Sequence, residues 1–482
     1  MSHHRCFLYR GRFINLKQRQ WLSHLETSMF DSKYSKRIST YLIALEAWRR
    51  GIILQFHKFN PKSARIHYSL NYKGRKHLFH VSKSDTITDE AVHICDDKSL
   101  TKTYLSRTNT PVPKGKKFNE VDPDNSIVEY AESIGYPVVL KAIRDAGGKG
   151  FFSNIINKQE LKETIFHVRQ ERKYKTVLLE EHIQGKNCRV FVFNGEVIGA
   201  LQRMAANIIG DGKSNIKELI EQKNKLKRKN PYTAKRMIKI DSEVTKMIAR
   251  KNYTLESIPK KNEKIFLREK NSVAKGGDSI DITDQLSSYT KEVAIKAVHS
   301  IPGLIQGGID IIVDENNEVR SVLEINEQPE IGGHLFPEKG KARDIATVII
   351  DYYFPETIGT KRAASFFNFD RILTPLKDNI MNTVEVSPAQ IGVMYSSKYI
   401  VSGKVQKVGY RKWIKNRALK QNLNGFAKNL KNGKVIVVVA GTDEEQVIQF
   451  KKYCSIGPTK ADVESVKRMN WDKIVKAGFE VI

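Results

Sequence analysis

Residues 395–482 leave this chain the least conformational freedom. SSKYIVSGKVQ has strand character, and YRKWIKNRALKQN has helical spacing that ends before Gly425. GFAKNL and KVIVVVAG read as strands on either side of the turn Asn432-Gly433. A second helical stretch, TDEEQVIQFKKYCS, and a last strand at GFEVI close the series. The order β-α-β-β-α-β in so short a span predicts a split-βαβ, ferredoxin-like unit, which forms a domain by itself.

A length of 482 residues accommodates about three domains. Residues 1–85 hold a helical stretch, SKRISTYLIALEAWRRGI, read as amphipathic, then alternating strands at ARIHYSLNY and KHLFHVS. This predicts a small α/β lead-in without a catalytic motif of its own. Residues 86–360 alternate helical patterns with short apolar strands: YPVVLKAI, TVLLEEHI, CRVFVFNGEVIGALQRM, GGIDIIVDE and SVLEINEQP. A mixed, proline-bearing stretch around residues 361–394 reads as a linker to the 395–482 unit. The fold class expected is α/β and α+β.

Four cysteines without a CxxC pair argue against a zinc ribbon or a disulfide framework and fit a reducing, cytoplasmic setting. The first twenty residues lack an apolar signal-peptide core, and no stretch approaches the ~18 apolar residues of a membrane span. The net charge of +29 raises nucleic acid as a partner. Its densest run, QKNKLKRKNPYTAKRMIKI at 222–240, carries eight basic residues and no acidic one. It reads as a solvated, lysine-rich helix and loop. With no zinc finger, aromatic RNA-binding strand or basic heptad array beside it, nucleic-acid readout has little support.

The chemistry is legible in the middle segment. Gly212-Lys213-Ser214 has the tail of a P-loop, but Asn207 stands where its first glycine belongs. In YPVVLKAIRDAGGKGFF, by contrast, a buried strand ends at Lys141 and a glycine cluster follows at Gly147, Gly148 and Gly150. Glycines let backbone N–H groups approach a polyphosphate, and a strand-end lysine adds a point charge. VLLEEHIQGKNCR is a strand ending in two carboxylates. Glu324 and Asn326 are i and i+2 on a strand, so both face one side, and Asp310 reads onto the neighbouring strand. Three oxygen ligands can therefore converge, which suits Mg²⁺.

On these motifs, and on RMAANIIGDGKSNIKELIEQKN and FLREKNSVAKGGDSIDITD, the span from Asp96 to Pro355 resembles the ATP-grasp carboxylate–amine ligases, such as cyanophycin and glutathione synthetases. The resemblance implies an ATP-grasp fold and phosphoryl transfer from ATP to a substrate carboxylate, followed by amine attack on the acyl phosphate. It implies two Mg²⁺ ions, with Mn²⁺ as the alternative metal, and small-molecule or peptide carboxylate and amine substrates. By position, Lys98 and Lys141 would hold ATP phosphates under the Gly147–Gly150 lid. Glu180, with the backbone of Glu181 to Ile183, would meet adenine. Asp310, Glu324 and Asn326 would bind the metal. Arg203, Asn207, Arg268 and Ser279 would face the γ-phosphate or acyl phosphate, with Arg268 counted as catalytic, and Arg189 would fork onto a substrate carboxylate. Asn187 stands where the family usually has a ribose-binding Glu; its side-chain carbonyl can still accept a hydrogen bond.

The segment VSGKVQKVGYRKWIKNRALKQNLNGFAKNLKNGKVIVVVAG resembles acylphosphatase. That match implies phosphate binding by Arg411, helped by loop N–H groups at a helix N-terminus, and orientation of the attacking water by Asn429. Lys407 replaces a loop glycine; if that position takes φ > 0, the side chain strains the cradle by about 1–2 kcal/mol. Two readings stay open: a ligase with an appended acylphosphatase, or an acylphosphatase whose ATP-grasp part is regulatory or degenerate. A homo-oligomer is compatible with either.

Overall fold

The computed structural model describes residues 19–26, 37–143 and 150–482. Gly147 and Gly148 lie outside the described residues.

The lead-in is built around the helix Ile38–Arg49. Its sequence suggests one apolar stripe, yet all of its residues are buried. On one side lies an antiparallel sheet that includes Ile53–His57, His67–Tyr72 and Arg75–His80. On another lies the helix Ile345–Tyr353. The remaining face is covered by residues 361–394, which are more than a tether. Trp48 Nε1 donates to the Ser387 carbonyl at 2.7 Å, Tyr41 rests on Phe367 and Phe369 with ring centroids 5.3 and 5.2 Å apart, and Thr383–Glu385 adds an edge strand beside Ile53–His57. The aromatic run SFFNF makes this segment adhere, because each ring removes a large apolar area from water. The helix tolerates buried charge because it is paired: Glu46 accepts from Arg50 Nε at 2.6 Å and from Arg362 Nε at 2.8 Å.

Two antiparallel sheets form the middle of the molecule. One runs in the order Gly115–Phe118, Val177–Glu181, Val138–Ala142, Phe151–Ile155. The other runs Asp278–Asp281, Glu196–Met204, Lys186–Phe193, Gln306–Val313, Val319–Asn326. Gln306–Val313 is buried along its whole length, so it anchors whatever its side chains present. The helix Lys98–Arg107 starts where Asp97 caps it, accepting from the N–H groups of Ser99 and Leu100 at 2.9 and 3.1 Å. The first half of the basic run forms the helix Ile216–Arg228, opened by an Asn215/Glu218 capping box.

The C-terminal unit has the sheet order Asp462–Asn470, Tyr395–Lys404, Val435–Gly441, Asn424–Asn429, Phe479–Val481, with the helix Tyr410–Lys420 packed on it. The strand Asp462–Asn470 has no counterpart in the sequence reading. It is an edge strand, seven of its nine residues exposed and charged or polar in the main, so it lacks the alternation that betrays a half-buried strand. The ferredoxin-like α+β module and the mixed middle agree with the fold class read from sequence.

Candidate active site

A narrow cleft opens between the two middle sheets. Lys98, Thr101, Lys102 and Leu105 line it from the helix, Lys141, Leu178 and Glu180 from the four-stranded sheet, and Val322 and Leu323 from the other sheet, immediately before Glu324. Val139 pairs with Glu180, and Lys141 follows two residues on, which brings the two side chains to the same face. The Glu180 carboxylate is buried between two ammonium groups: Lys102 Nζ lies 2.6 Å from one oxygen, and Lys141 Nζ contacts the other. Burial pushes the Glu180 carboxyl up, but the two lysines outweigh it and hold it below its usual range. Lys102 escaped the sequence reading, although it stands four residues after Lys98 on one helical face.

Glu181 ends its strand with its carboxylate accepting from the Lys114 N–H at 2.7 Å. His182 N–H donates to the Pro137 carbonyl at 3.0 Å, and Ile183 follows on the crossing from one sheet to the other. Gly150 lies at the start of the strand Phe151–Ile155, its carbonyl accepting from the Ala142 N–H at 2.8 Å.

The second cluster sits on the five-stranded sheet, where Asp310 pairs with Glu324 on one neighbour and Arg189 on the other, and Gly308 pairs with Asn326. Asp310 is buried and doubly engaged: Arg189 Nε contacts one carboxylate oxygen, and Arg203 Nη2 donates to the other at 2.6 Å. Burial raises its carboxyl, but these guanidiniums pull it down to about 2. Arg203 Nε also donates to the Asn187 side-chain carbonyl at 2.8 Å, which uses that oxygen within the protein. Asn326 Nδ2 donates to Glu324 Oε1 at 3.3 Å. A Cβ on Gly308 would come within 2.6 Å of Pro329 and 3.0 Å of Arg189 Nη1, so that position admits the arginine only as glycine.

Arg203 pairs across its strand with Ser279, whose buried Oγ has no hydrogen-bond partner. Asn207 Nδ2 donates to Asp278 at 3.0 Å. Arg268 stands apart: its guanidinium binds Asp241 at 2.6 Å, Glu243, and the Lys239 carbonyl at 3.1 Å. Part of the basic run reaches inward rather than into solvent. Lys223 Nζ lies 2.7 Å from Asp278, and the fully buried Lys227 lies 3.3 Å from Asp278 and 2.8 Å from Glu338. Both lysines extend the buried stripe of Ile216, Leu219 and Ile220 at helical spacing, and this periodicity inside the run is the signal that could have found them.

His334, also unanticipated, is buried in contact range of Gly199, its ring centroid 6.2 Å from that of Phe191. Burial, helped by the Arg189 charge, drives its imidazole down to about 3, so it is neutral.

In the C-terminal unit a loop turns from the strand Tyr395–Lys404 into the helix Tyr410–Lys420. Gly403 has φ +116°, and a Cβ there would lie 2.2 Å from the Asp462 carbonyl oxygen. Lys407 adopts φ +60° and Gly409 φ +81°, so the lysine does occupy a left-handed position. Gln406 Nε2 ties the loop down through the Leu430 and Lys434 carbonyls at 2.8 and 2.9 Å. Arg411 sits in the first turn of the helix and donates to the Ile482 carbonyl at 2.6 Å. Asn429 Oδ1 is buried without a hydrogen-bond partner.

The chain thus presents a sheet-to-sheet cleft lined with lysines, an acidic cluster bracketed by arginines, and a separate positive-φ loop on a ferredoxin-like module. Residues 97–194 match the family model of the carbamoyl-phosphate synthase L chain, ATP binding domain, and residues 397–481 match acylphosphatase. The chain is 31% identical over 326 residues to the glutathione biosynthesis bifunctional protein GshAB of Clostridium perfringens, a match covering 66% of this chain and 41% of that protein. It is 29% identical over 353 residues to cyanophycin synthetase of Trichormus variabilis, covering 72% and 38%. A solved bifunctional glutathione synthetase from Pasteurella multocida aligns at 24% identity over 60% of this chain and 41% of its own, with a TM-score of 0.48. The chain thus spans about two fifths of the length of these curated relatives. Two carboxylates and an amide oxygen on adjoining strands are hard oxygen ligands of the kind that suit a divalent metal. No helix among the described residues is long and apolar enough to cross a membrane.

Proposed function

We propose that the chain is an ATP-dependent carboxylate–amine ligase whose C-terminal domain hydrolyses acyl phosphates. The observation that carries this reading is the Asp310–Glu324–Asn326 set on two paired strands, bracketed by Arg189 and Arg203, with Val322 and Leu323 of the second strand lining the lysine-lined cleft.

A carboxylate oxygen of the substrate attacks the γ-phosphorus of ATP, and the bond to the β-phosphate oxygen breaks to release ADP. The amine then attacks the acyl carbon, and phosphate departs with an oxygen that began in the carboxylate. Lys98, Lys102 and Lys141 neutralise the transferring phosphates, and Arg189 and Arg203 hold the substrate carboxylate and the developing charge. Glu180 keeps Lys102 and Lys141 aligned before ATP enters. Asp310, Glu324 and Asn326 would hold Mg²⁺, two ions in the full site, or Mn²⁺. The metal supplies Lewis-acid charge to the phosphates.

In the C-terminal domain, Arg411 and the loop N–H groups hold an acyl phosphate while Asn429 orients water. That water attacks phosphorus, and the carboxylate leaves with both of its oxygens. One chain would therefore make an acyl phosphate and clear any that escapes the amine. ADP release with and without pooled amino acids and short peptides tests the ligase half. It should require an acceptor and Asp310; ADP release that needs neither contradicts the reading, leaving the acylphosphatase as the principal activity.

A further inference from the structure

The N-terminal lead-in is joined directly to the loop that leaves the acidic strand. Ser39 Oγ donates to Glu330 Oε1 at 3.0 Å and accepts from the Ile331 N–H at 3.0 Å. Ser82 Oγ donates to the Pro329 carbonyl at 2.7 Å, and His80 Nδ1 donates to Gln328 Oε1 at 2.8 Å. At most about 7 Å of chain separates Asn326 from Gln328. The lead-in is therefore anchored to the segment that follows the acidic strand.

The lead-in sheet carries a row of rings. His57 stacks on Phe59 with centroids 5.5 Å apart, Phe59 meets His67 at 5.0 Å, and His67 meets His80 at 4.8 Å. Phe59 is 63% exposed, so the row opens to solvent. His57 is held by Ser69 and Thr383. Buried atoms here lack partners: His67 Nδ1 and Arg37 Nη1 make no hydrogen bond.

The surrounding charge is one-sided. Arg65 and Lys83 bear on both His67 and His80, with His57 adding to the first and Arg37 to the second, and together with burial they depress both imidazoles. Lys76 acts in the same way on His57. Glu327 senses Lys83, but among the described residues no carboxylate forms an ion pair with Arg37, Arg65 or Lys83. Elsewhere around the site the opposite holds. Arg189 and Arg203 share Asp310, Lys102 and Lys141 share Glu180, and Lys223 and Lys227 share Asp278. A cationic shelf with no ion-paired carboxylate among the described residues, anchored beside the loop that leaves the acidic strand, is complementary to an anion. Its backbone N–H groups belong to the sheet ladder, leaving imidazole and guanidinium donors that suit a carboxylate.

We propose that Arg37, Arg65, Lys83, His67 and His80 bind a second carboxylate of the ligase substrate, so that the enzyme acts on an acidic peptide or another polycarboxylate. The proposal rests on the ligase reading above and names its substrate class. The reacting carboxylate would lie at Arg189 and Arg203, with the distal one on the shelf. An anion placed there favours imidazolium, so binding should draw protons onto His67 and His80.

Calorimetric titration of the full chain near pH 6.5 tests this with three probes: tetraglutamate, tetraglutamine and inorganic phosphate, each in two buffers of different ionisation enthalpy. Tetraglutamate should bind with net proton uptake, and tetraglutamine should not bind. Arg65→Ala, at an exposed position that folding does not need, and His67→Gln with His80→Gln should each weaken tetraglutamate binding by about tenfold or more. The histidine pair should also abolish proton uptake. Equal binding of tetraglutamine, unchanged affinity in the variants, or phosphate binding with the same proton uptake would overturn the proposal. The titration contains no ATP. Its failure alongside Asp310-dependent ADP release therefore rejects the shelf alone, whereas ADP release that ignores Asp310 rejects the ligase reading.

Discussion

In the central cleft cations are held by side-chain partners, whereas in the C-terminal loop the cradle is built mainly from backbone. Arg189 and Arg203 share Asp310, and Lys102 and Lys141 share Glu180, so each carboxylate is paired twice and leaves one cation in excess before any substrate arrives. Arg411 instead donates to the main-chain oxygen of Ile482, and the loop around it depends on left-handed residues and on Gln406. A paired cluster with one cation in excess can take up a phosphate without stranding a charge in low dielectric. A backbone cradle responds to conformation rather than to charge. The first site should therefore be sensitive to loss of one carboxylate and to acid, and the second to loss of one arginine and to the left-handed residue.

The largest test of that contrast is Asp310→Asn. Removing the charge leaves two guanidiniums facing one another, and ADP formation should fall by a factor on the order of 100–1,000, while hydrolysis of added acetyl phosphate is unchanged. Arg411→Ala should do the reverse, cutting acetyl phosphate hydrolysis by a factor on the order of 100 and leaving acceptor-dependent ADP formation intact. If either substitution impaired both reactions equally, the two sites would not be independent.

Acid sensitivity gives a smaller effect. His334 titrates near 6.5 in an unfolded chain but at about 3 when folded. Between those values the unfolded chain holds the extra proton, so acid favours unfolding. Stability should drop by about 2 kcal/mol from pH 6.5 to pH 5 on this account. Urea titration of His334→Gln at both pH values should show a correspondingly shallower loss. The smallest effect belongs to Lys407→Gly. Relief of the positive-φ strain, less the entropy of an added glycine, should stabilise the C-terminal unit by up to about 1 kcal/mol, read as a higher urea midpoint. No gain would mean that the lysine's charge compensates for its strain.

Sequence legibility divides along the same line. Asp310, Glu324 and Asn326 could be placed together because strand alternation fixes facing, and the structure puts Asp310 opposite Glu324. Lys407 stands where the acylphosphatase resemblance implies a loop glycine, and its φ of +60° meets the condition under which that replacement is strained. Other features depend on contacts distant in sequence. Nothing within SKRISTYLIALEAWRRGI announces that residues 361–394 will return to cover its outer face. The 222–240 run looked solvated because lysine is usually exposed, yet Lys223 and Lys227 turn inward where Asp278 and Glu338 wait on strands far along the chain. Arg268 was grouped with phosphate-facing residues by resemblance, but the acidic start of the helix Ser242–Ala249 engages its guanidinium here.

The central claim is that two sites in one chain open opposite bonds of the same intermediate, and oxygen labelling measures this directly. Pooled N-acetylated amino acids and acidic peptides carrying ¹⁸O in their carboxylates would be turned over with ATP, with or without unlabelled amino acid amides as the amine, and the released phosphate weighed by mass spectrometry. With amine present, attack at the acyl carbon should deliver ¹⁸O to phosphate. With amine withheld, hydrolysis at phosphorus should give unlabelled phosphate that disappears in Arg411→Ala. Unlabelled phosphate under all conditions, released regardless of Arg411, would contradict the account.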